Sequence, residues 1–297
     1  MTYHSPPVVL TFSASDPTGG AGLQADLLTL SSMGCHAVTV VTAITVQDTV
    51  GVMDYWPLEA QQIVRQARCV MDDMAVMAFK IGMVGSVGAV AAIAEVVADY
   101  PQIPLVFDPV LASGRGDALS NRETVDAMLA LLIPRTTILT PNSLELRRLS
   151  ARMLAEAGEV AEDVLPEGLS AVSVEIVSDT NACAMTLLEQ GCDYVLLTGT
   201  HDGTVRVINT LYGSCADGSK GALRSDEWVR LAGSWHGSGC TLASAVAAML
   251  AHQVPVDEAV FAAQEFVYES LRAGYRLGRG QFIPDRLFWA RQVGLVA

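Results

Sequence analysis

Apolar residues along this chain alternate between two rhythms. Val8-Val-Leu-Thr-Phe-Ser-Ala14 is apolar and β-branched, the pattern of a buried strand. A glycine-rich stretch follows, Ser15-Asp-Pro-Thr-Gly-Gly-Ala-Gly22, and then Leu23 to Met33 carries helical spacing. Gly34 ends that helix, and His36 to Ile44 reads as a second strand. The unit is βαβ, which implies parallel strands joined by a right-handed crossover. The same rhythm predicts a helix over Pro57–Val76, a strand over Ala78–Met83 and a helix over Val87–Tyr100. A strand within Pro104–Val110 closes at Asp108-Pro109, a helix spans Asn121–Leu132, and a strand covers Thr137–Thr140. Asp179 or Thr180 caps a helix through Gln190; strands follow at Tyr194–Gly199 and Val205–Tyr212, with a short one at Val229–Ala232. Helices over Thr241–Leu250 and Val256–Tyr275 complete the pattern. Residues 151–178 break it, being Ala- and Glu-rich with Pro166 and Gly168, and are expected to be an inserted helix and loop. With no repeat, low-complexity tract or linker, the expectation is one doubly wound α/β domain over residues 1–297.

Composition narrows the function. A hydrophobic fraction of 51% supports an extended core, and a formal charge of −14 argues against nucleic-acid binding. Lys80 and Lys220 are the only lysines. An anionic substrate would therefore be held by local devices such as helix N-termini and a metal ion. The six cysteines form no CxxC pair and no metal-ligand spacing. Met1 to Pro7 lacks the basic and apolar regions of a signal peptide, and no apolar run reaches membrane-span length without a charge or breaker. A cytoplasmic protein with no membrane partner is expected.

The candidate chemistry collects at loops. Gly233-Ser-Trp-His-Gly-Ser-Gly-Cys-Thr-Leu-Ala-Ser-Ala245 is a polar turn that opens directly into a helix. Free backbone N–H groups and the helix dipole suit that place to a phosphate or oxyanion. Gly237 and Gly239 allow close approach, and Cys240 occupies a position expected to lower a thiol's pKa. An ordinary glycine-rich loop with a buried cysteine explains the stretch equally well. Asp108 and Glu145, each near a strand end, are candidate ligands for a hydrated Mg²⁺. Taken singly, they also fit a strand-end turn acid and a first-turn helix acid. His236 and His201 read as loop histidines. Gly20-x-Gly22-x-x-Ala25 formally fits a dinucleotide fingerprint, but the acid expected at the end of the second strand comes late, as Asp48 after Gln47. A small-molecule pocket built from this loop, Asp26 and Gln47 fits as well.

In order along the chain stand Ser15 to Gly22 with Gln24-Ala-Asp26, Thr42-Ala43 with Gln47, Lys80-Ile-Gly-Met83, Asp108-Pro-Val110, Thr140-Pro-Asn-Ser-Leu-Glu145 and His236-Gly-Ser-Gly-Cys-Thr241. Together they resemble the bacterial hydroxymethylpyrimidine/phosphomethylpyrimidine kinases of thiamine biosynthesis, within the ribokinase-like superfamily. The resemblance runs from about Val8 to Phe288, with 151–178 outside it. It implies a three-layer α/β/α fold with a mostly parallel central sheet, and ATP and Mg²⁺ as cosubstrates. It implies phosphorylation of 4-amino-5-hydroxymethyl-2-methylpyrimidine and then of its monophosphate. Gln47 matches the position that reads the pyrimidine edge, where an amide supplies both donor and acceptor. Gly20, Asp26, Met83 and Val110 match positions lining that pocket. Asn142 and Glu145 match the motif that places Mg²⁺ and phosphate, and Gly237, Ser238, Gly239 and Cys240 match the anion hole, with Cys240 as the expected base. A homodimer is the family expectation.

Two departures stand out. Relatives commonly carry Lys-Gly-Gly-His where this chain reads Thr198-Gly-Thr-His201, so Thr198 replaces a cation on the nucleotide side. Arg115 replaces, from a slightly different place, a basic residue common in the loop after Asp108. The rival readings are a pyridoxal or pyridoxine kinase, a pyrimidine-binding protein without turnover, and, more distantly, a dinucleotide-dependent oxidoreductase.

Overall fold

The computed structural model describes residues 5–114, 116–156 and 179–292. Arg115 and most of the expected 151–178 insertion therefore lie outside the described residues. The strands are β1 (Val8–Ser15), β2 (His36–Gln47), β3 (Val52–Pro57), β4 (Val76–Ile81), β5 (Leu105–Phe107), β6 (Ile138–Leu139), β7 (Tyr194–Thr198), β8 (Arg206–Ser214) and β9 (Lys220–Val229). All join one sheet in the order β3-β2-β1-β4-β5-β6-β7-β8-β9. The stretch from β2 to β7 is parallel, and β3 at one edge and β8–β9 at the other are antiparallel.

Side-chain alternation splits the core in two. Leu10, Phe12, Phe79, Ile81, Phe107 and Leu139 face one helix layer. That layer holds α2 (Ala60–Met71), α3 (Val87–Ala98), α4 (Arg122–Ala127), α5 (Ser143–Glu156) and α6 (Thr180–Glu189). Val9, Ala78, Val106, Ile138 and Leu196 face the other, formed by α1 (Gly22–Ser32), α7 (Ser238–Ala251) and α8 (Val256–Arg272). A short helix, α9 (Phe288–Gln292), follows. Both faces of the parallel strands are covered, which is why they read as continuous apolar runs. The result is the three-layer α/β/α arrangement with a mostly parallel sheet.

Several expectations shift. The helix expected from Pro57 begins at Ala60, where Glu59 and Gln62 form a capping box, and residues 52–57 are edge strand β3 instead. No separate strand lies at 229–232; Val229 ends the ten-residue β9. The expected helix over 121–132 starts on the Asn121 cap but passes after Ala127 into a π turn over Met128–Leu132. Ala151–Glu156, expected to open the insertion, continues α5.

β2 lies on one side of β1 and β4 on the other, so the connections diverge at the carboxyl end of β1. Ligands of open α/β sheets bind in the crevice at such a switch point.

Candidate active site

The strand ends and the first turn of α7 enclose a cleft of about 430 Å³. Gln47, Met83, Val110, Asp108, Asn142, Glu145 and Thr198 line it, together with Gly237, Ser238, Gly239 and Cys240. Met83, Val110, Leu119 and Ala14 pack into a small apolar cluster at one end. There Gln47 Nε2 donates to Thr45 Oγ1 at 2.7 Å. The bond fixes the amide at the pocket wall and leaves Oε1 without a protein donor among the described residues.

At the opposite side α7 presents its N-terminus. Gly237 caps it in the left-handed region at φ 80°, and a Cβ there would lie 2.0 Å from Gly20 O. The amides of Ser238, Gly239 and Cys240 occupy the first turn, where helix geometry supplies no acceptor. A Cβ on Gly239 would stand 3.6 Å from Asp108 Oδ2, so that carboxylate lies against the helix start.

Cys240 differs from expectation. Burial pushes its thiol up to about 12; Lys80 pulls it down, but the charges of Asp108 and Asp26 add to burial and outweigh the Gly22 N–H that donates to Sγ. The helix N-terminus does not produce a resting thiolate. The S–H instead donates to Asp108. Asp108 is itself held up at about 6 by burial and by Asp26, against the charge of Lys80. Glu145 is pushed up to about 8 by burial and by Asp108. Its Oε2 accepts from Asn142 N at 3.0 Å, and Asn142 Oδ1 accepts from Glu145 N at 3.0 Å, a reciprocal cap on α5. Glu145 Oε1 accepts from Leu111 N at 3.4 Å. A desolvated carboxylate pair that resists its own charge is the donor chemistry a divalent cation completes.

Two expected pocket residues sit elsewhere. Asp26 is fully buried below the cleft, accepting from Thr11 Oγ1 at 2.6 Å and Ser244 Oγ at 2.8 Å and pairing with Lys80 Nζ at 2.9 Å. Its position on α1 turns it into the layer between sheet and α7 rather than toward a ligand. Gly20 also lies outside the cleft, because the ring of His236 fills the space a side chain would take, 2.2 Å from a built Cβ. His236 Nε2 in turn contacts Asp16 Oδ2 at 2.8 Å, tying the two glycine loops together.

Lys80 was signalled by its position, a charge within an apolar strand that demands a partner. Two arginines carried no such signal. Arg230 lines the cleft and donates to the carbonyls of Gly199, Thr200, Asp202 and Thr204, fixing the loop after Thr198. Arg286 reaches the glycine loops from the C-terminal segment.

A family model described as phosphomethylpyrimidine kinase matches residues 16–172 and 160–285. The chain is 36% identical over 280 residues to a hydroxymethylpyrimidine/phosphomethylpyrimidine kinase of Streptomyces coelicolor, covering 93% of each chain. Among solved structures, a phosphomethylpyrimidine kinase of Clostridium difficile is 30% identical with a TM-score of 0.68, over 89% of this chain and 98% of that one. An ADP complex of Bacillus subtilis pyridoxal kinase is 25% identical with a TM-score of 0.77, over 97% and 100%. On the family match and the identity to its relatives, the chain belongs to the phosphomethylpyrimidine kinase family.

Proposed function

We propose that this protein transfers the γ-phosphoryl group of ATP to the hydroxymethyl group of 4-amino-5-hydroxymethyl-2-methylpyrimidine, and then phosphorylates the monophosphate, as a step of thiamine biosynthesis. One observation carries the reading: a single cleft holds a small apolar end with Gln47, a helix N-terminus and two desolvated carboxylates. Gln47 Oε1 accepts from the exocyclic amine, and Met83 and Val110 cover the ring. That orientation turns the hydroxymethyl group toward Cys240. The amides of Ser238, Gly239 and Cys240 receive the transferring phosphoryl oxygens, which is the positioning and charge stabilisation that phosphoryl transfer requires. Asn142, Glu145 and Thr198 lie on the nucleotide side.

Asp108 and Glu145 would hold Mg²⁺, which keeps waters and takes few protein carboxylates when phosphates complete its shell. Bound there, it would supply charge neutralisation between the phosphates. With Asp108 neutralised, a charge that raises the Cys240 thiol is removed, while Lys80 and the Gly22 N–H still favour the thiolate. A Cys240 thiol that released its proton to solvent when the site is loaded would then be a thiolate able to accept the hydroxymethyl proton.

Among the described residues no helix is long and apolar enough to cross a membrane. A homodimer is supported by Ile44 and Trp56, which pair across β2 and β3 and are 53% and 55% exposed. A wild-type dimer that Trp56→Glu converts to monomer in light scattering is the expected result; a monomeric wild type rules the contact out.

ATP consumption with Mg²⁺ against the pyrimidine alcohol, its monophosphate and pyridoxine, with mass detection of products, tests the activity. A pyrimidine diphosphate is expected. Turnover of pyridoxine alone would move the assignment to vitamin B6, and silence from all three would leave a binding protein.

A further inference from the structure

Arg286 is a buried cation that no carboxylate touches among the described residues, with Asp26 and Asp16 acting on it only from a distance. Its side chain belongs to a residue 2% exposed, and it forms no ion pair with a carboxylate among the described residues. The nearby acids are engaged elsewhere, Asp26 with Lys80, Asp16 with His236 and Asp285 with Arg291. Nε donates to Thr241 Oγ1 at 3.0 Å, and Nη2 donates to Gly20 O at 2.6 Å and Gly237 O at 3.4 Å. Nη1 reaches Gly19 O at 3.4 Å. The segment is fastened by bridges between Trp235 and Phe282 and between Tyr275 and Ile283.

Every acceptor belongs to the 19–20 loop or to the cap and first turn of α7, the two elements that bracket Cys240. Gly19 and Gly20 lead into α1, whose Gly22 N–H meets the Cys240 sulfur. Gly237 caps α7, and Thr241 passes the contact on by donating to Gly237 O at 2.7 Å. Holding the Gly237 carbonyl back fixes the left-handed turn and aims the next three amides at the cleft. Carbonyl oxygens solvate a guanidinium but do not neutralise it, and a buried charge with no direct ion pair is costly unless the site uses it. Its field adds to that of the α7 dipole at the place where phosphoryl charge gathers.

We propose that Arg286 is a positioning residue for phosphoryl transfer, clamping the 19–20 loop onto the start of α7 and lending the anion hole a fixed positive charge. The inference rests on the site reading above. The charge of Arg286 bears most on the second step, whose substrate is already an anion.

The test compares full-length wild type, Arg286→Lys and Arg286→Met in kcat and KM for the alcohol and the monophosphate, with calorimetric affinity for the alcohol alone. Arg286→Met is expected to lower kcat by about 10²-fold, more for the monophosphate, with alcohol affinity unchanged. Arg286→Lys, which keeps charge but not the fork, is expected to fall between. Unchanged kcat, or equal loss of kcat and alcohol affinity in both variants, would overturn the role. If Arg286→Met does not fold, Arg286→Lys decides alone by the same split between kcat and affinity. An inactive wild type would sink the site reading itself, whereas active wild type with undiminished variants would sink only Arg286.

Discussion

A thiol held at about 12 is almost wholly protonated at neutral pH, so in the ligand-free protein Cys240 is a hydrogen-bond donor to Asp108. Iodoacetamide reacts with thiolate, and peptide mapping of the ligand-free protein is expected to find exposed Cys69 alkylated well before Cys240. Faster labelling of Cys240 would mean a preformed thiolate. Cys240→Ala is expected to lower turnover by about 10²–10⁴-fold if the sulfur takes the proton, with pyrimidine affinity kept. Undiminished turnover would show the proton leaving by another route. Lys80 gives the complementary case in stability. Lys80→Met strands the Asp26 carboxylate in the core, and urea unfolding is expected to register a loss of about 3–5 kcal/mol. Lys80→Met combined with Asp26→Leu should recover much of it, since removing both partners of a buried pair costs less than removing one. No recovery would mean that packing, not charge, holds this layer. At this scale the chain revealed residue types more readily than their surroundings. Cys240 was placed correctly at a helix start, but the burial and nearby acids that decide its pKa come from strands far away in sequence. Asp26 was read as facing a ligand because helical spacing gives a side chain's angle around the axis and not what lies opposite it.

Two glycines two positions apart, Gly237 and Gly239 on either side of Ser238, do different work in the α7 turn. Gly237→Ala puts a methyl group onto the Gly20 carbonyl and forces a left-handed residue, which costs at least about 1–2 kcal/mol before the clash is counted. Gly239→Ala meets Asp108 at 3.6 Å, ordinary contact distance, and should fold normally. Thermal melts are therefore expected to separate the pair, with Gly237→Ala well below wild type and Gly239→Ala close to it. Equal melting points would show that the loops are not locked as described. The elements themselves were legible wherever burial imposed a period. β1, α1 and β2 fall within a few residues of expectation, since both strands lie inside the sheet. β3 and β9 went unread because their exposed positions remove the apolar signal: Lys220 to Val229 alternates between exposed and half-buried residues throughout. Residues 143–156 form one helix although the apolar pattern breaks at Ala151, and the Asn142–Glu145 cap explains where it starts.

A chain with a formal charge of −14 that handles phosphates must hold them against its own field, and the whole fold concentrates that problem in one crevice. The order of βαβ units made the crevice foreseeable, because parallel strands bring residues 47, 83, 108, 142 and 198 to one sheet edge. What the order did not convey is that the Asp108–Glu145 pair is set against itself without a cation. Both groups hold protons more tightly in the folded protein, at about 6 and about 8 against ordinary values of 3.8 and 4.5. Between those limits the unfolded chain binds fewer protons than the native one, so stability falls as pH rises. The stabilising contribution is complete below about pH 4 and is lost on passing about pH 8. Metal-free protein is expected to melt a few degrees lower at pH 8 than at pH 5.5. Asp108→Asn and Glu145→Gln should each flatten that slope. Added Mg²⁺ should raise the melting point more at pH 8 than at pH 5.5, because at the lower pH it must displace protons to bind. A melting point that climbs through this window, or an Mg²⁺ shift equal at both pH values, would remove these carboxylates as the metal site and leave Glu145 with the structural duty its hydrogen bonds already perform.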